Sequence, residues 1–203
     1  TEECVLESSV GQRRVICLDR SGNQFRLDVQ LVTPDFEDRS FFPFLQENVD
    51  HYTYEGIMFY PVSVGNPHVV VIMNKKAAAA LRDNRIEHVR HLGKKLAISD
   101  VFPQGTNVEF VIPAAGGNLE PDYQSGRNFS IFYYERGVGI TGSSSTGSAA
   151  VFAVLRQLGL VTNTLSLPIP TWQTDGADPI KISGKNEIFV ESSTKIVYKG
   201  RFL

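Results

Sequence analysis

One segment in the second half of the chain combines charged, glycine and hydroxyl residues in an order suited to binding an anion. Glu135 and Arg136 end an apolar, strand-like run, a glycine-rich loop follows, and a hydroxyl-rich cluster at 143–148 leads into a helix-like stretch. A helix N-terminus presents unpaired N–H groups and about half a positive charge, so it attracts an anionic ligand group. The alternative is that these Ser and Thr residues only cap a helix. This segment alone leaves both interpretations open.

A second polar segment, Gly65-Asn66-Pro67-His68, interrupts an otherwise apolar run. Proline removes a hydrogen-bond donor from a β-ladder, and a buried polar side chain needs a partner. One interpretation is a bulge in an edge strand. The other places Asn66 and His68 at the mouth of a cleft, where Asn66 offers an amide to a ligand carboxylate or amine and His68 tunes proton transfer.

Two further observations concern single side chains. Asn107 stands where a strand begins, and taken alone it is best interpreted as the cap of a turn. Glu135 and Arg136 are adjacent at a predicted strand end, so they point to opposite faces and are not expected to pair with each other. Either both contact the same ligand through a twisted strand end, or each faces a different partner. The guanidinium fork of Arg136 suits a carboxylate.

Hydrophobic periodicity predicts the elements that must position these side chains. Phe25, Leu27, Val29 and Leu31 alternate with polar residues, which is typical of a half-buried strand. The pattern as a whole predicts a mixed α/β protein of the α+β type, rich in strands and with two main helices. The predicted strands cover residues 13–19, 25–31, 56–64, 69–73, 107–112, 129–134, 181–183, 188–190 and 195–202, and the predicted helices cover 77–95 and 149–158.

Composition excludes several classes of function. The 203 residues carry a formal net charge of −2, with 42% hydrophobic and 21% charged residues, as in ordinary globular proteins. No basic stripe suggests nucleic acid, and no apolar run approaches the ~20 residues of a membrane-spanning helix. The two cysteines, Cys4 and Cys17, form no disulfide framework, which favours the cytoplasm. His88 and His91 form no recognisable metal site, so none is predicted.

The three polar segments, in this order, resemble the diaminopimelate epimerase family. The family has a Gly-Asn-Pro-His turn, an Asn-Val-Glu-Phe strand and a Tyr-Glu-Arg-Gly-x-Gly-x-Thr strand that runs into a Cys-Gly-Thr-Gly helix start. Here the corresponding segments are 65–68, 107–110 and 134–141. The likeness extends from the first hairpin to the last predicted strand.

The resemblance implies a pseudo-symmetric fold of two lobes, each a mixed, mostly antiparallel sheet wrapped around a central helix. Residues 1–33 and 194–203 would be the remnant of an incomplete first lobe, and residues 34–193 the second lobe. The implied activity is cofactor-independent inversion at the α-carbon of an amino acid, most closely LL- to meso-diaminopimelate for lysine and peptidoglycan synthesis. One cysteine thiolate removes the α-proton and a second thiol returns one to the opposite face.

The resemblance also implies roles for individual residues. Ser144 takes the position of the second-lobe cysteine, and His68 and Glu135 match groups that tune the catalytic thiols. Asn66, Asn107, Glu135, Arg136, Ser145 and Thr146 match the substrate contacts, the last two at the α-carboxylate. The expected ligand is a small amino acid.

Departures from the family pattern bear on activity. A serine hydroxyl holds its proton far more tightly than a cysteine thiol, whose pKa is ~8.5. Ile140 also replaces the family's usual acid and Ser145 its usual glycine. The Cys-Gly-Asn-Gly motif of the first lobe is absent from these residues, so we expect the 203 residues alone to be inactive.

Two alternatives to an active diaminopimelate epimerase follow. One is a non-catalytic relative that binds an amino-acid-like ligand or a protein. The other is a different amino-acid racemase or isomerase of the same fold, including the phenazine-biosynthesis type, which uses a carboxylate such as Glu135 in place of paired cysteines. Strand edges left exposed by an incomplete lobe favour a homodimer.

Overall fold

The fold consists of two six-stranded sheets with a helix packed between them. The computed structural model describes residues 2–8, 11–81, 84–114, 120–167, 180–184 and 187–200. The strands are β1 (Glu2–Ser8), β2 (Gly11–Ser21), β3 (Gln24–Gln30), β4 (Tyr52–Tyr54), β5 (Ile57–Ser63), β6 (Pro67–Ile72), β7 (Asn107–Pro113), β8 (Phe129–Glu135), β9 (Gly139–Thr141), β10 (Thr164–Leu167), β11 (Ile180–Ser183) and β12 (Phe189–Lys195); the helices are α1 (Lys75–Leu81), α2 (Arg85–Ala97) and α3 (Ser145–Gln157).

The two sheets differ in strand order and in strand direction. The first sheet has the order β1-β2-β3-β12-β11-β10, and each neighbouring pair in it is antiparallel. The second sheet follows chain order from β4 to β9, and its strands β6 and β7 are parallel. A parallel pair needs a crossover connection, which the segment containing α1 and α2 supplies. The mixed, mostly antiparallel α+β fold predicted from the sequence is therefore confirmed.

Helix α3 is the centre of the main core. Its residues from Gly147 to Leu155 are all buried, and they pack with apolar side chains of both sheets. A helix that is apolar on every side is stable only when it is surrounded. The first and second sheets supply that surrounding on opposite sides of α3.

Helix α2 covers the other face of the second sheet, and Gly93 determines how closely it packs. A Cβ atom built on Gly93 would lie 2.5 Å from Cγ and 2.7 Å from Cβ of Tyr134 on β8. Those atoms lie next to the strand backbone, so they cannot move aside cheaply. The absence of a side chain at position 93 therefore permits the close contact between helix and sheet.

We expect Gly93→Ala to destabilise the protein by about 1–3 kcal/mol, because the overpacked contact outweighs the helix-propensity gain of about 1 kcal/mol. Urea unfolding measures the change. Gly200→Ala is the control, since the nearest atom to a Cβ there is 3.7 Å away in Tyr198. Equal stability of the Gly93→Ala variant and the wild-type protein would contradict the close contact.

Some predicted boundaries were wrong. The helix predicted at 77–95 is split into α1 and α2, and α3 begins at Ser145, four residues before the predicted start. The last predicted strand, 195–202, is also wrong: β12 ends at Lys195, and residues 196–200 form no strand. Strand β12 pairs with β3, whose first residue, Gln24, is opposite Lys195, so no partner strand remains beyond it. Residues 201–203 lie outside the described residues.

The predicted lobe division remains a prediction. Strand β12 crosses the predicted boundary between residues 193 and 194, and its pairing with β3 joins both predicted segments in one sheet. The strand-like segment around Cys4 corresponds to β1, whereas β4 and β10 were not predicted.

Candidate active site

The three polar segments meet at one end of the central strands of the second sheet. Strands β6 and β7 are parallel, so their first residues lie side by side, with His68 opposite Asn107. Strand β8 runs antiparallel to β7, so its end reaches the same edge, with Tyr134 opposite Val108. The residues singled out from the sequence therefore lie close together because of strand direction.

A buried chain of hydrogen bonds starts at the Gly65–His68 segment. Nδ1 of His68 lies 2.8 Å from Oε1 of Glu109, and Nε2 of His68 lies 3.0 Å from Oδ1 of Asn66. His68 and Glu109 are fully buried, whereas Asn66 is half-buried. Because Pro67 and His68 belong to β6, the segment is the start of a central strand and not a bulge at a sheet edge.

Glu109 is the functional candidate that sequence reasoning missed. Its Oε2 atom is buried and makes no hydrogen bond within the part of the chain that is described. A Cβ on Gly147 would lie 2.7 Å from Oε1 of Glu109, so the carboxylate lies against the first turn of α3. The available signal was a carboxylate in the otherwise apolar run Val108–Ile112, since a buried acid needs a partner.

A second buried hydrogen bond lies beside Glu109. The hydroxyls of Tyr133 and Ser148 are 2.7 Å apart, and both side chains are buried. Burial raises the pKa of Tyr133 well above its usual range; the bond to Ser148 opposes this shift, and the charge of Glu109 adds to it. The phenol is therefore neutral at physiological pH, and it links β8 to α3.

Asn107 connects three segments of the site through its side chain. Its Nδ2 donates to the carbonyl of Pro67 at 2.9 Å, and its Oδ1 accepts from the backbone N–H of Arg136 at 3.0 Å. The turn-cap interpretation is therefore replaced by a bridge between strand ends. One Nδ2 hydrogen remains for a ligand, so the predicted substrate contact stays a prediction.

Within the described residues, Glu135 and Arg136 take different partners, which is one of the two alternatives; whether they share a ligand stays open. The Thr141 hydroxyl donates to Oε1 of half-buried Glu135 across the β8–β9 pair. The guanidinium of exposed Arg136 donates to the carbonyl of Gln104, and its stem packs on Gly105. The structure brings both residues to the end of the sheet where His68 and Asn107 lie.

The N-terminus of α3 is capped and still has free donors. Ser144 is the N-cap residue: its Oγ accepts from the N–H of Gly147 at 3.2 Å, and its carbonyl accepts from Ser148. Ser144 therefore caps α3, and this bond does not decide whether the same helix end also binds an anion. The N–H groups of exposed Ser145 and half-buried Thr146 have no partner among the described residues, and the first turn carries no acidic side chain.

Ser144 belongs to the same cluster as the buried pair. Its Cβ lies 3.1 Å from the position that a Cβ on Gly147 would occupy, next to Oε1 of Glu109. Ser144 and Glu109 therefore both lie against Gly147, while His68, Asn107 and the backbone of Arg136 meet at the neighbouring strand ends. In the described ranges, no group of three or more His, Cys, Asp or Glu side chains could hold a metal ion. Across those same ranges, no helix has the length and apolar character needed to cross a membrane.

Comparison with known proteins identifies the family of the segment that contains the cluster. The model of the diaminopimelate epimerase family matches residues 60–194, a span that contains every residue of the cluster. The chain belongs to the diaminopimelate epimerase family. The resemblance seen in the three motifs is thereby confirmed.

Relatives within the diaminopimelate epimerase family match most of the chain. The diaminopimelate epimerase of Blochmanniella pennsylvanica is 28% identical over 88% of the chain and 59% of its own length. That of Microcystis aeruginosa is 32% identical over 68% of the chain and 42% of its own length. The chain therefore spans less than two thirds of the length of these relatives.

Solved structures support the family's fold. A probable proline racemase from Agrobacterium radiobacter matches with a TM-score of 0.55 at 15% identity, covering 96% of this chain and 58% of that one. A PhzF-family phenazine biosynthesis protein from Bacillus anthracis matches with a TM-score of 0.51 at 10% identity, covering 96% of this chain and 66% of that one. At these identities the likeness concerns the fold alone.

Proposed function

We propose that this chain provides the second-lobe half of a cofactor-independent amino-acid epimerase site, with diaminopimelate as the substrate. The family match and the relatives named diaminopimelate epimerase support this proposal. The observation that carries it is the convergence of Asn66, His68, Asn107 and Arg136 with the N-terminus of α3.

The free N–H donors at the start of α3 and the charges at the neighbouring strand ends suit a zwitterion. The N–H groups of Ser145 and Thr146, with the helix dipole behind them, would hold the α-carboxylate. The same groups would stabilise negative charge that spreads from the α-carbon into the carboxylate when the proton leaves. Glu135 would accept from an ammonium group, and Arg136 would pair with a second carboxylate.

Proton transfer is the step at which Ser144 matters. In the proposed reaction a thiolate removes the α-proton, and a thiol on the other face protonates the carbanion. Ser144 cannot supply the second-lobe thiol, and its hydroxyl is already the acceptor for the N–H of Gly147. We therefore infer that the acid–base step is weak with serine at 144, and that the 203 residues alone do not turn over.

Replacing Ser144 with cysteine is expected to restore the missing group. We expect Ser144→Cys, in the full natural polypeptide, to increase exchange of the α-proton of LL-diaminopimelate with deuterated water by on the order of 100-fold, a typical contribution of a positioned acid–base group. NMR follows the loss of the α-proton signal, and calorimetry measures ligand binding separately.

The matched control is Ser143→Cys, which adds a thiol at the exposed neighbouring position. Exchange that rises in both variants would show a nonspecific thiol effect and would contradict the assignment of position 144. Binding without exchange in every protein would leave a binding function in place of catalysis. No binding and no exchange would remove the amino-acid proposal.

The role of Ser144 as N-cap favours one second candidate, a non-catalytic protein that binds an amino-acid-like ligand. Serine caps a helix well because its oxygen accepts a backbone N–H, and Ser144 does so here. Retained ligand affinity together with a Ser144→Cys variant that gains no exchange would support this candidate.

The remaining expectations are part of the same proposal. The proposed activity places the chain in lysine and peptidoglycan synthesis. The two free cysteines favour the cytoplasm. Edge strand β1 exposes Val5 and Leu6, which suits pairing with a second copy of the chain. The mass of the protein in solution, measured by light scattering, tests the homodimer.

A further inference from the structure

We propose that Thr141 is a positioning residue of this site, which holds the carboxylate of Glu135 in the orientation that receives an ammonium group. Glu135 is assigned to the ammonium group only under the proposed function, so the ligand part of this inference rests on that function. The orientation of Glu135 in the free protein does not.

One hydrogen bond joins the two side chains across the β8–β9 pair. The hydroxyl of Thr141 donates to Oε1 of Glu135, and both residues are half-buried. Thr141 lies opposite Tyr133 in the register, and Glu135 follows Tyr133 by two residues on β8. Residues that are directly opposite, or two apart on one strand, share a face of the sheet. The bond is therefore a diagonal contact on one face, between neighbouring strands.

That face of the second sheet is the one that α3 covers. Tyr133 packs with α3 in the main core, and its hydroxyl bonds to Ser148 of that helix. Glu135 therefore lies on the same side of the sheet as α3, whose first turn offers the N–H donors of Ser145 and Thr146. The ammonium and carboxylate groups of an α-amino acid are bonded to one carbon, so they need an acceptor and donors on the same side of the site.

A glutamate at the end of a strand requires a restraint if its carboxylate is to keep one position. Several rotatable bonds separate that carboxylate from the backbone, and ordering them on binding weakens affinity. Thr141 is suited to supply the restraint, because branching at Cβ restricts the rotation of its own side chain. Its hydroxyl is therefore a stiff donor that orders Glu135 before a ligand arrives.

The hydrogen bond uses one carboxylate oxygen and leaves the other for a ligand. Oε2 of Glu135 makes no hydrogen bond within the described ranges. It is also absent from the buried polar atoms that lack a partner there, so it is open to solvent. An ammonium group only donates, so it needs an acceptor of this kind.

NMR of the full natural polypeptide without ligand tests the orientation of Glu135. Three-bond couplings are expected to show one dominant rotamer of Glu135 in the wild-type protein. Averaging over several rotamers is expected in Thr141→Val, which keeps the branched shape and loses the hydroxyl. Thr141→Ser keeps the hydroxyl and is expected to keep the dominant rotamer.

Glu47 is the averaged reference, because it is exposed and its side chain makes no hydrogen bond in the part of the chain that is described. A Glu135 side chain as averaged as that of Glu47 in the wild-type protein would overturn the proposal without any variant. A dominant rotamer that persists in Thr141→Val would overturn it as well.

Two ligands of equal chain length test the consequence for binding. Diaminopimelate carries ammonium groups and carboxylates, whereas pimelate carries the carboxylates alone. We expect Thr141→Val to weaken the binding of diaminopimelate by about 3- to 10-fold, the effect of leaving one flexible side chain to be ordered by the ligand. Pimelate binding is expected to be unchanged, and Thr141→Ser is expected to bind both ligands as the wild-type protein does. Calorimetry measures the affinities.

The outcomes distinguish positioning from a structural role of the β8–β9 hairpin. An equal loss of affinity for both ligands, or a loss in Thr141→Ser as large as in Thr141→Val, would show a structural role and overturn the proposal. Unchanged diaminopimelate affinity in Thr141→Val would overturn it too. Failure of the wild-type protein to bind diaminopimelate would refute the proposed function and the ligand part of this inference, whereas the couplings alone decide the orientation of Glu135.

Discussion

Glu109→Ala is expected to destabilise the fold by about 2–5 kcal/mol, because it leaves a buried hydrogen-bonding partner unsatisfied and opens a cavity. The variant would leave the His68 imidazole buried without its carboxylate, and it would leave a cavity between β7 and the first turn of α3. Urea unfolding measures the loss, and it should appear as a lower midpoint with an unchanged slope.

A double-mutant cycle separates the pair from the cavity. We expect His68→Ala and Glu109→Ala together to cost less than the two single variants added, by about 1–3 kcal/mol, because the double variant leaves neither buried partner unsatisfied. Simple additivity would contradict a coupled pair.

The control is the exposed pair Arg90 and Glu87 on α2. Surface ion pairs contribute about 0–1 kcal/mol, so Glu87→Ala should change stability little. A loss as large as that of Glu109→Ala would show that burial is not the cause.

Phe152→Ala is expected to cost about 3–5 kcal/mol, the range for deleting a fully buried aromatic side chain. Phe152 lies in α3 within the core that both sheets share, and its side chain is completely buried. Because both sheets pack on this helix, α3 cannot shift toward one sheet to fill the cavity without losing contact with the other. Thermal or urea unfolding measures the effect.

Leu160→Ala is the matched control, because Leu160 follows the same helix but is 40% exposed. We expect it to cost less than about 1 kcal/mol, as most exposed positions do. A small loss for Phe152→Ala would contradict the central position of α3.

Much of the secondary structure could be predicted because burial leaves a periodic trace in the sequence. The alternation at 25–31 corresponds to β3, and the apolar runs at 107–112 and 129–134 correspond to β7 and β8. The apolar run after the hydroxyl cluster corresponds to α3. These signals are local, since each residue's own hydrophobicity determines the face that it presents.

The errors arise where distant contacts decide the outcome. Ile196 and Tyr198 alternate like strand residues, but β12 stops at Lys195, and the last backbone bond, from Ile196 to the carbonyl of Asn23, already reaches the turn before β3. At 82% exposure, Tyr198 lacks the sheet neighbours that would bury one face of a strand. Helix propensity across 77–95 likewise could not show that α2 has its own N-cap residue, Asn84.

The candidate site was likewise only partly predictable from the sequence. Residue types and motif order indicated Asn66, His68, Asn107, Arg136 and Ser144, and the family resemblance assigned their expected roles. Glu109 was present in a quoted motif but received no role, because its importance depends on His68, which lies 41 positions earlier in the chain. A sequence shows that an acid is buried in an apolar run without showing which base faces it.

The sequence by itself determined which chemical groups are available, where most strands and the central helix form, and the family to which the chain belongs. Only the tertiary structure decided which of those groups meet. Parallel pairing of β6 with β7 places His68 beside Asn107, and Gly147 lets the carboxylate of Glu109 approach α3. Strand direction and packing distance are properties of paired segments, so no single segment of the sequence records them.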